Sequence, residues 1–283
     1  MVALEFNALY MSILAFFLAI IPGIAIGWPL LKKSDYSLLE KLVLGFFVGL
    51  FAVPTLLYLE SFIGLKFSLF LVAVNFLLLV AAGALWGLSN ETFRLEMPEF
   101  QIGKDFEEPV EFCTKHAVSL LLILAIALAF WIRLQSYSPI YSELDPYFYV
   151  FATGQILQQG AIPLYDDTAW YPDALSSHAG ADLRSYVEAQ WYSVYTHGGA
   201  YNNYLLFQVA GWLPPISGAL LAFGAYLALS GMFGKRYGVL AAFLMAFLPI
   251  AVYKMSAGVN EAVPIGVMAL FICIGMYVQA LVK

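Results

Sequence analysis

The stretch Ala117-Val-Ser-Leu-Leu-Leu-Ile-Leu-Ala-Ile-Ala-Leu-Ala-Phe-Trp-Ile-Arg133 runs directly into Leu134-Gln-Ser-Tyr-Ser-Pro-Ile-Tyr-Ser-Glu-Leu-Asp145-Pro-Tyr147. The first part is almost purely apolar and close to the roughly 20 residues that cross a bilayer core. The second part is polar, aromatic and acidic. Six more segments read as spans, at about 8–31, 42–63, 67–87, 212–234, 237–253 and 260–282. The chain is 62% hydrophobic and 11% charged, against about 25% charged in an ordinary soluble domain. The pattern therefore predicts an all-α polytopic membrane protein of about seven transmembrane helices.

Charge is distributed unevenly. The loop 134–205 holds Glu143, Asp145, Asp166, Asp167, Asp173, Asp182 and Glu188 against Arg184 alone, which equals the net charge of −6 for the whole chain. It also holds 15 aromatic residues, most of them tyrosine. Carboxylates hold hard divalent cations, and aromatic rings with a polar handle suit the mixed surface of a sugar.

Lys and Arg in short loops set orientation. Lys32, Lys33 and Lys41 fall between the first two spans, Arg94, Lys104 and Lys115 between the third and fourth, and Lys235 and Arg236 between the fifth and sixth. The alternate loops are poor in bases. This predicts an outside N-terminus, a cytoplasmic C-terminus and an external acidic loop, in the plasma membrane. The first apolar stretch lacks a basic leader and is too long for a signal core of about 7–15 residues, so it reads as a retained span. Three regions follow: a three-span unit over 1–87, a cytoplasmic linker over 88–116, and a membrane region over 117–283 with its loop at 134–205. Cys113 and Cys273 lie far apart in a linker and a span, which argues against a disulfide framework or a cysteine metal site.

Within the loop, Asp145-Pro146 reads as an N-cap and first helical position. The helix runs to Gln159 and Gly160 reads as its C-cap. Phe148, Phe151, Ala152 and Ile156 form its expected apolar face. Pro163, Asp166-Asp167 and Tyr171-Pro172-Asp173 read as turns. A second helix is expected over about 180–195, and 201–211 leads into the next span.

These residues resemble a known family. Asp145-Pro-Tyr-Phe-Tyr149, a helix ending at Gly160, then Pro163, Asp166-Asp167 and Trp170-Tyr-Pro-Asp173 look like the first external loop of oligosaccharyltransferase catalytic subunits, which are GT-C membrane glycosyltransferases. Met255-Ser-Ala-Gly-Val-Asn-Glu261 is similar to the family's second external acidic motif. The resemblance covers about 117–282. Tyr149 stands where the family has His, and Asn260-Glu261 replaces its usual pair of acids.

The resemblance implies a GT-C-like fold and transfer from a polyprenyl (dolichol) phosphate-linked glycan to a protein or glycan acceptor on the extracytoplasmic side. It implies Mg²⁺ or Mn²⁺ held by Asp145 and Glu261, which are also the candidate catalytic residues. Arg133 and Lys254, cations at the outer ends of their spans, are candidates for the donor phosphate, with snorkelling to head groups as the plainer reading. Asp166, Asp167, Tyr171 and Asp173 are candidate substrate-positioning residues, with turn formation as the plainer role. A zinc site at His178 and Asp182 lacks a third ligand. No phosphate-cradling Gly-rich loop, nucleophile elbow or basic patch is present, which argues against ATPase, hydrolase and nucleic-acid functions. A non-catalytic scaffold that binds glycan-lipid and a transporter built on Pro-broken spans remain as alternatives.

Overall fold

The computed structural model describes residues 6–90, 109–138, 140–141, 143–163, 165–166, 175–176 and 183–282; at 109–115, 165–166 and 175–176 it describes backbone only. The first three helices are α1 (Ala8–Leu31), α2 (Leu38–Phe62) and α3 (Leu69–Ser89). Each starts where a short polar side chain satisfies a backbone N–H that has no partner inside the helix. Asn7 accepts from Tyr10 N at 2.9 Å and Ser68 from Leu71 N at 3.2 Å. Ser37 and Glu40 form a reciprocal capping box.

α1 and α2 pack backbone to backbone. Gly23 and Gly27 on α1 face Gly45 and Gly49 on α2, and a Cβ at Gly49 would run into the Ala19 carbonyl and the Gly23 backbone. Membrane helices have no hydrophobic drive toward one another, so close approach over small residues supplies the attraction.

The second body comprises α4 (Pro109–Leu134), α8 (Leu213–Phe233), α9 (Lys235–Phe247), α10 (Pro249–Lys254) and α11 (Ala262–Val282). α8 is its axis, packed on α4, α9 and α11 and buried over most of its length. Between α4 and α8 lie α5 (Asp145–Gln159), β1 (Tyr165–Asp166), β2 (Leu175–Ser176), α6 (Leu183–Tyr195) and α7 (Asn203–Ala210). The two strands form one short antiparallel pair in an otherwise helical structure, with Tyr165 opposite Ser176.

Among the described residues, six helical stretches are long and apolar enough to cross a membrane, in rough agreement with about seven. The expected span 237–253 is divided: α9 ends at Phe247, Leu248 is extended (φ −60°, ψ 117°), and α10 restarts at Pro249. Proline has no N–H for the carbonyl four residues back and its ring crowds that carbonyl, so the helix breaks there.

The two bodies are joined at opposite ends of α2. At its far end, Val53 and Leu57 pack with Val72, Ile156, Tyr186 and Ala189, which seats α5 and α6 on the three-span unit. The Asn7 N–H also donates to the Tyr195 hydroxyl at 2.7 Å. At its near end, the Tyr226 hydroxyl of α8 donates to buried Glu40 at 2.5 Å.

Candidate functional site between the acidic loop and the 255–261 turn

α5 begins at Asp145 itself. Leu144 occupies the cap position in helical conformation and no side chain caps the helix, so the expected N-cap role of Asp145 is not what the structure shows. Asp145 is exposed and makes no ion pair or side-chain hydrogen bond among the described residues. Its carboxylate still sits in the first turn, where the helix dipole favours negative charge. The far end is as expected: Gly160 takes φ 86° and its N–H bonds to Ile156 O at 2.9 Å, a left-handed cap that glycine adopts without steric cost.

The buried face of α5 differs from the apolar face expected. Ala152 and Ile156 are buried, but Phe148 and Phe151 are 45% and 49% exposed, and Thr153 is fully buried. The reason is Glu188 on α6, whose carboxylate accepts the Thr153 hydroxyl at 2.8 Å.

Glu188 is the centre of this site and is itself wholly buried. It pairs with Arg184 one helical turn earlier at 2.9 Å. It also accepts the Asn260 side-chain amide at 2.8 Å. The Arg184 guanidinium lies 4.6 Å from the Tyr149 ring centre, a cation–π contact. Tyr149 therefore stacks on an arginine. Burial pushes the nearby Tyr141 phenol well above its usual range, with Glu188 adding to the shift. A buried carboxylate is tolerable when paired and fully hydrogen-bonded, and Arg184, Thr153 and Asn260 meet that condition. The spacing of Arg184 and Glu188 was visible in the sequence, but their burial was not.

Beside this network lies a second group at the mouth of α11. Lys254 reaches Glu261 at 3.1 Å and Glu143 at 3.2 Å. The Tyr253 hydroxyl donates to Glu143. Burial holds the Glu261 carboxyl above the usual carboxylate range, reinforced by a hydrogen bond it shares with Glu143. Glu143 is held below that range, first by Tyr253 and then by Glu261. The carboxylates raise Lys254 above its ordinary value. Glu143, two residues before Asp145, was not singled out from the sequence. Its proximity to Glu261 depends on the turn at 255–259, where Ala257 N donates to Arg133 O at 3.0 Å and Gly258 takes φ 98°.

Arg133 is placed differently from Lys254. It is fully buried and donates to the carbonyls of Ala129 at 2.9 Å, Ala246 at 3.1 Å and Met245 at 3.2 Å. The last two carbonyls belong to the end of α9, which the break at Pro249 leaves without helical partners. Gly218 on α8 makes room, since a Cβ there would collide with the Arg133 side chain. The structure thus commits this cation to the end of a broken helix.

Of the candidate positioning residues, Asp166 lies in β1 with only its backbone described, while Asp167, Tyr171 and Asp173 lie outside the described residues, as do His178 and Asp182. Among the described residues, no three His, Cys, Asp or Glu side chains gather into a metal cage. The available donors, Glu143, Glu261 and Asp145, are hard oxygens of the kind Mg²⁺ and Mn²⁺ take, although Lys254 already ion-pairs with the first two.

No curated protein matches the chain. The family described as oligosaccharyl transferase STT3, N-terminal, matches residues 116–283, from the start of the apolar part of α4 through α11. That is more than half of the chain and includes the loop, the Glu188 network and the turn at Asn260-Glu261, so this integral membrane protein belongs to the oligosaccharyl transferase STT3 family by its N-terminal domain.

Proposed function

We propose that this chain forms the membrane part of an oligosaccharyltransferase-like glycosyltransferase that handles a polyprenyl phosphate-linked glycan on the extracytoplasmic side, for transfer to a protein or glycan acceptor. The observation that carries the reading is the link from Glu143 through Lys254 to Glu261. It places the start of the acidic loop beside the second acidic motif, as a shared phosphate site requires. Lys254 is 36% exposed and suits the donor phosphate as a point charge. Arg133, fixed on carbonyls, has no such freedom.

Asp145, Glu143 and Glu261 would hold Mg²⁺ or Mn²⁺, and a divalent ion there neutralises the phosphate leaving group. Lys254 would then pass from the carboxylates to the donor. The basic loops at 32–41 and 235–236 support placing the acidic loop on the opposite, external side.

One observation favours the rival reading of a non-catalytic scaffold: Glu143 and Glu261 are both already engaged by Lys254. Both readings allow donor binding, and they part on whether it depends on the metal and its ligands. Purified protein should retain a radiolabelled polyprenyl phosphate-linked sugar in a Mn²⁺-dependent manner, and Asp145→Ala and Lys254→Met should each lose it. Retention unaffected by Mn²⁺ and by both substitutions would leave only the scaffold reading.

A further inference from the structure

A cavity of about 740 Å³ lies between the α1–α2 pair and the α4–α8 pair. Its wall is almost wholly apolar and includes Phe16, Val43, Ile126, Phe130, Trp212 and Ile216. The two helix pairs are tied at the ends of α2, through α6 and through Glu40 with Tyr226, and leave this gap between. Its apolar wall suits an extended hydrocarbon chain. From Ser12 to Ile24, both on its wall, α1 rises about 18 Å, slightly more than one leaflet of a core about 30 Å thick.

The basic end of the gap supplies a second, independent observation. Leu39 and Leu42 line it there, directly beside Lys41 and the α1–α2 loop with Lys32 and Lys33. Glu40 draws in the start of α9 as well, since Lys235 approaches it at 3.7 Å. Lys41 Nζ bonds to Lys32 O at 3.1 Å, which holds these two lysines together. Clusters of Lys and Arg at the end of membrane helices attract anionic head groups. We infer that this gap binds one anionic phospholipid of the surrounding bilayer, with an acyl chain between α1–α2 and α4–α8 and its head group on Lys32, Lys33 and Lys41. The lipid would serve as the packing partner that the three-span unit lacks along its length.

The test is native mass spectrometry of the whole chain, delipidated in detergent and then offered phosphatidylglycerol or phosphatidylcholine with identical chains. One phosphatidylglycerol should remain bound, and phosphatidylcholine should not compete. Lys32→Gln with Lys41→Gln should weaken retention about fivefold per lysine. Ala127→Phe, which fills the gap, should abolish retention. In a fluorescence arm, phosphatidylglycerol brominated in the distal half of its chains should quench wild-type fluorescence, and Trp212→Phe should remove that increment. Equal retention of the two lipids, retention unchanged by Ala127→Phe, or quenching independent of Trp212 would overturn the inference. So would a dimer blocked by Ala127→Phe, or displacement by equimolar polyprenyl phosphate; these outcomes would assign the gap to a second copy or to the donor.

Discussion

The amide of Asn260 donates to the buried carboxylate of Glu188 at 2.8 Å, across 72 residues of chain. This bond ties the turn before α11 to the middle of α6, and so ties the second acidic motif to the acidic loop. The Asn260 carbonyl oxygen is buried beside it with no hydrogen-bond partner among the described residues. Glu188 therefore anchors the site's framework, while Glu261, the next residue after Asn260, pairs with Lys254.

Glu188→Ala should destabilise the fold by about 3–5 kcal/mol, because it strands the buried Arg184 charge. Thermal unfolding in detergent measures this. Asn260→Ala should cost less, and the double variant should cost less than the sum of the two, since both remove one shared bond. Strict additivity would mean that the two side chains do not interact.

Arg133→Met should destabilise by about 1–3 kcal/mol for each buried carbonyl left unpaired, with the loss centred on the joint between α9 and α10. Donor binding should survive wherever the protein remains folded. A selective loss of donor binding at unchanged melting temperature would return Arg133 to the phosphate site.

Much of this was legible in the sequence. Gly160 as a cap, the extent of α5, six of the spans and the family resemblance all depend on local chemistry: composition, turn residues and adjacent motif residues. The break at Pro249 was legible as a Pro-broken span, but not the side chain that takes the carbonyls it frees. Whether such a residue kinks or divides a span depends on who takes the freed carbonyls, and Arg133 lies more than a hundred positions away. Glu143 and Glu188 were hidden for the same reason. One acid among seven in a loop carries no mark of burial or of its partner. Only the fold shows that Glu188 faces Thr153 and Asn260, and that Glu143 faces Lys254.

Glu143 and Glu261 give the site opposite pH responses. The fold raises Glu261, so its contribution to stability is full below the usual carboxylate range and is lost as pH rises through its elevated value. The fold lowers Glu143, so its contribution is present above that range and is lost as pH falls through its depressed value. Divalent cation binding requires Glu261 without its proton, so affinity should climb as pH rises just above the usual carboxylate range. Titration at several pH values checks this, and Glu261→Gln should flatten the profile.

Gly49→Val should separate α1 from α2, because its side chain would meet the Ala19 carbonyl. Overpacking of this kind costs about 1–3 kcal/mol or more. A lower melting temperature with donor binding intact in the folded fraction is the expected result, since the three-span unit supports α6 but carries no part of the acidic site.

The most direct test of the central claim is Mn²⁺ titration followed by electron paramagnetic resonance, comparing wild type with Asp145→Ala, Glu143→Ala and Glu261→Ala. The account predicts saturable binding in wild type, loss in Asp145→Ala and Glu261→Ala, weakening in Glu143→Ala, and tightening in Lys254→Met. Absence of wild-type binding, or wild-type affinity retained in Asp145→Ala, would contradict it.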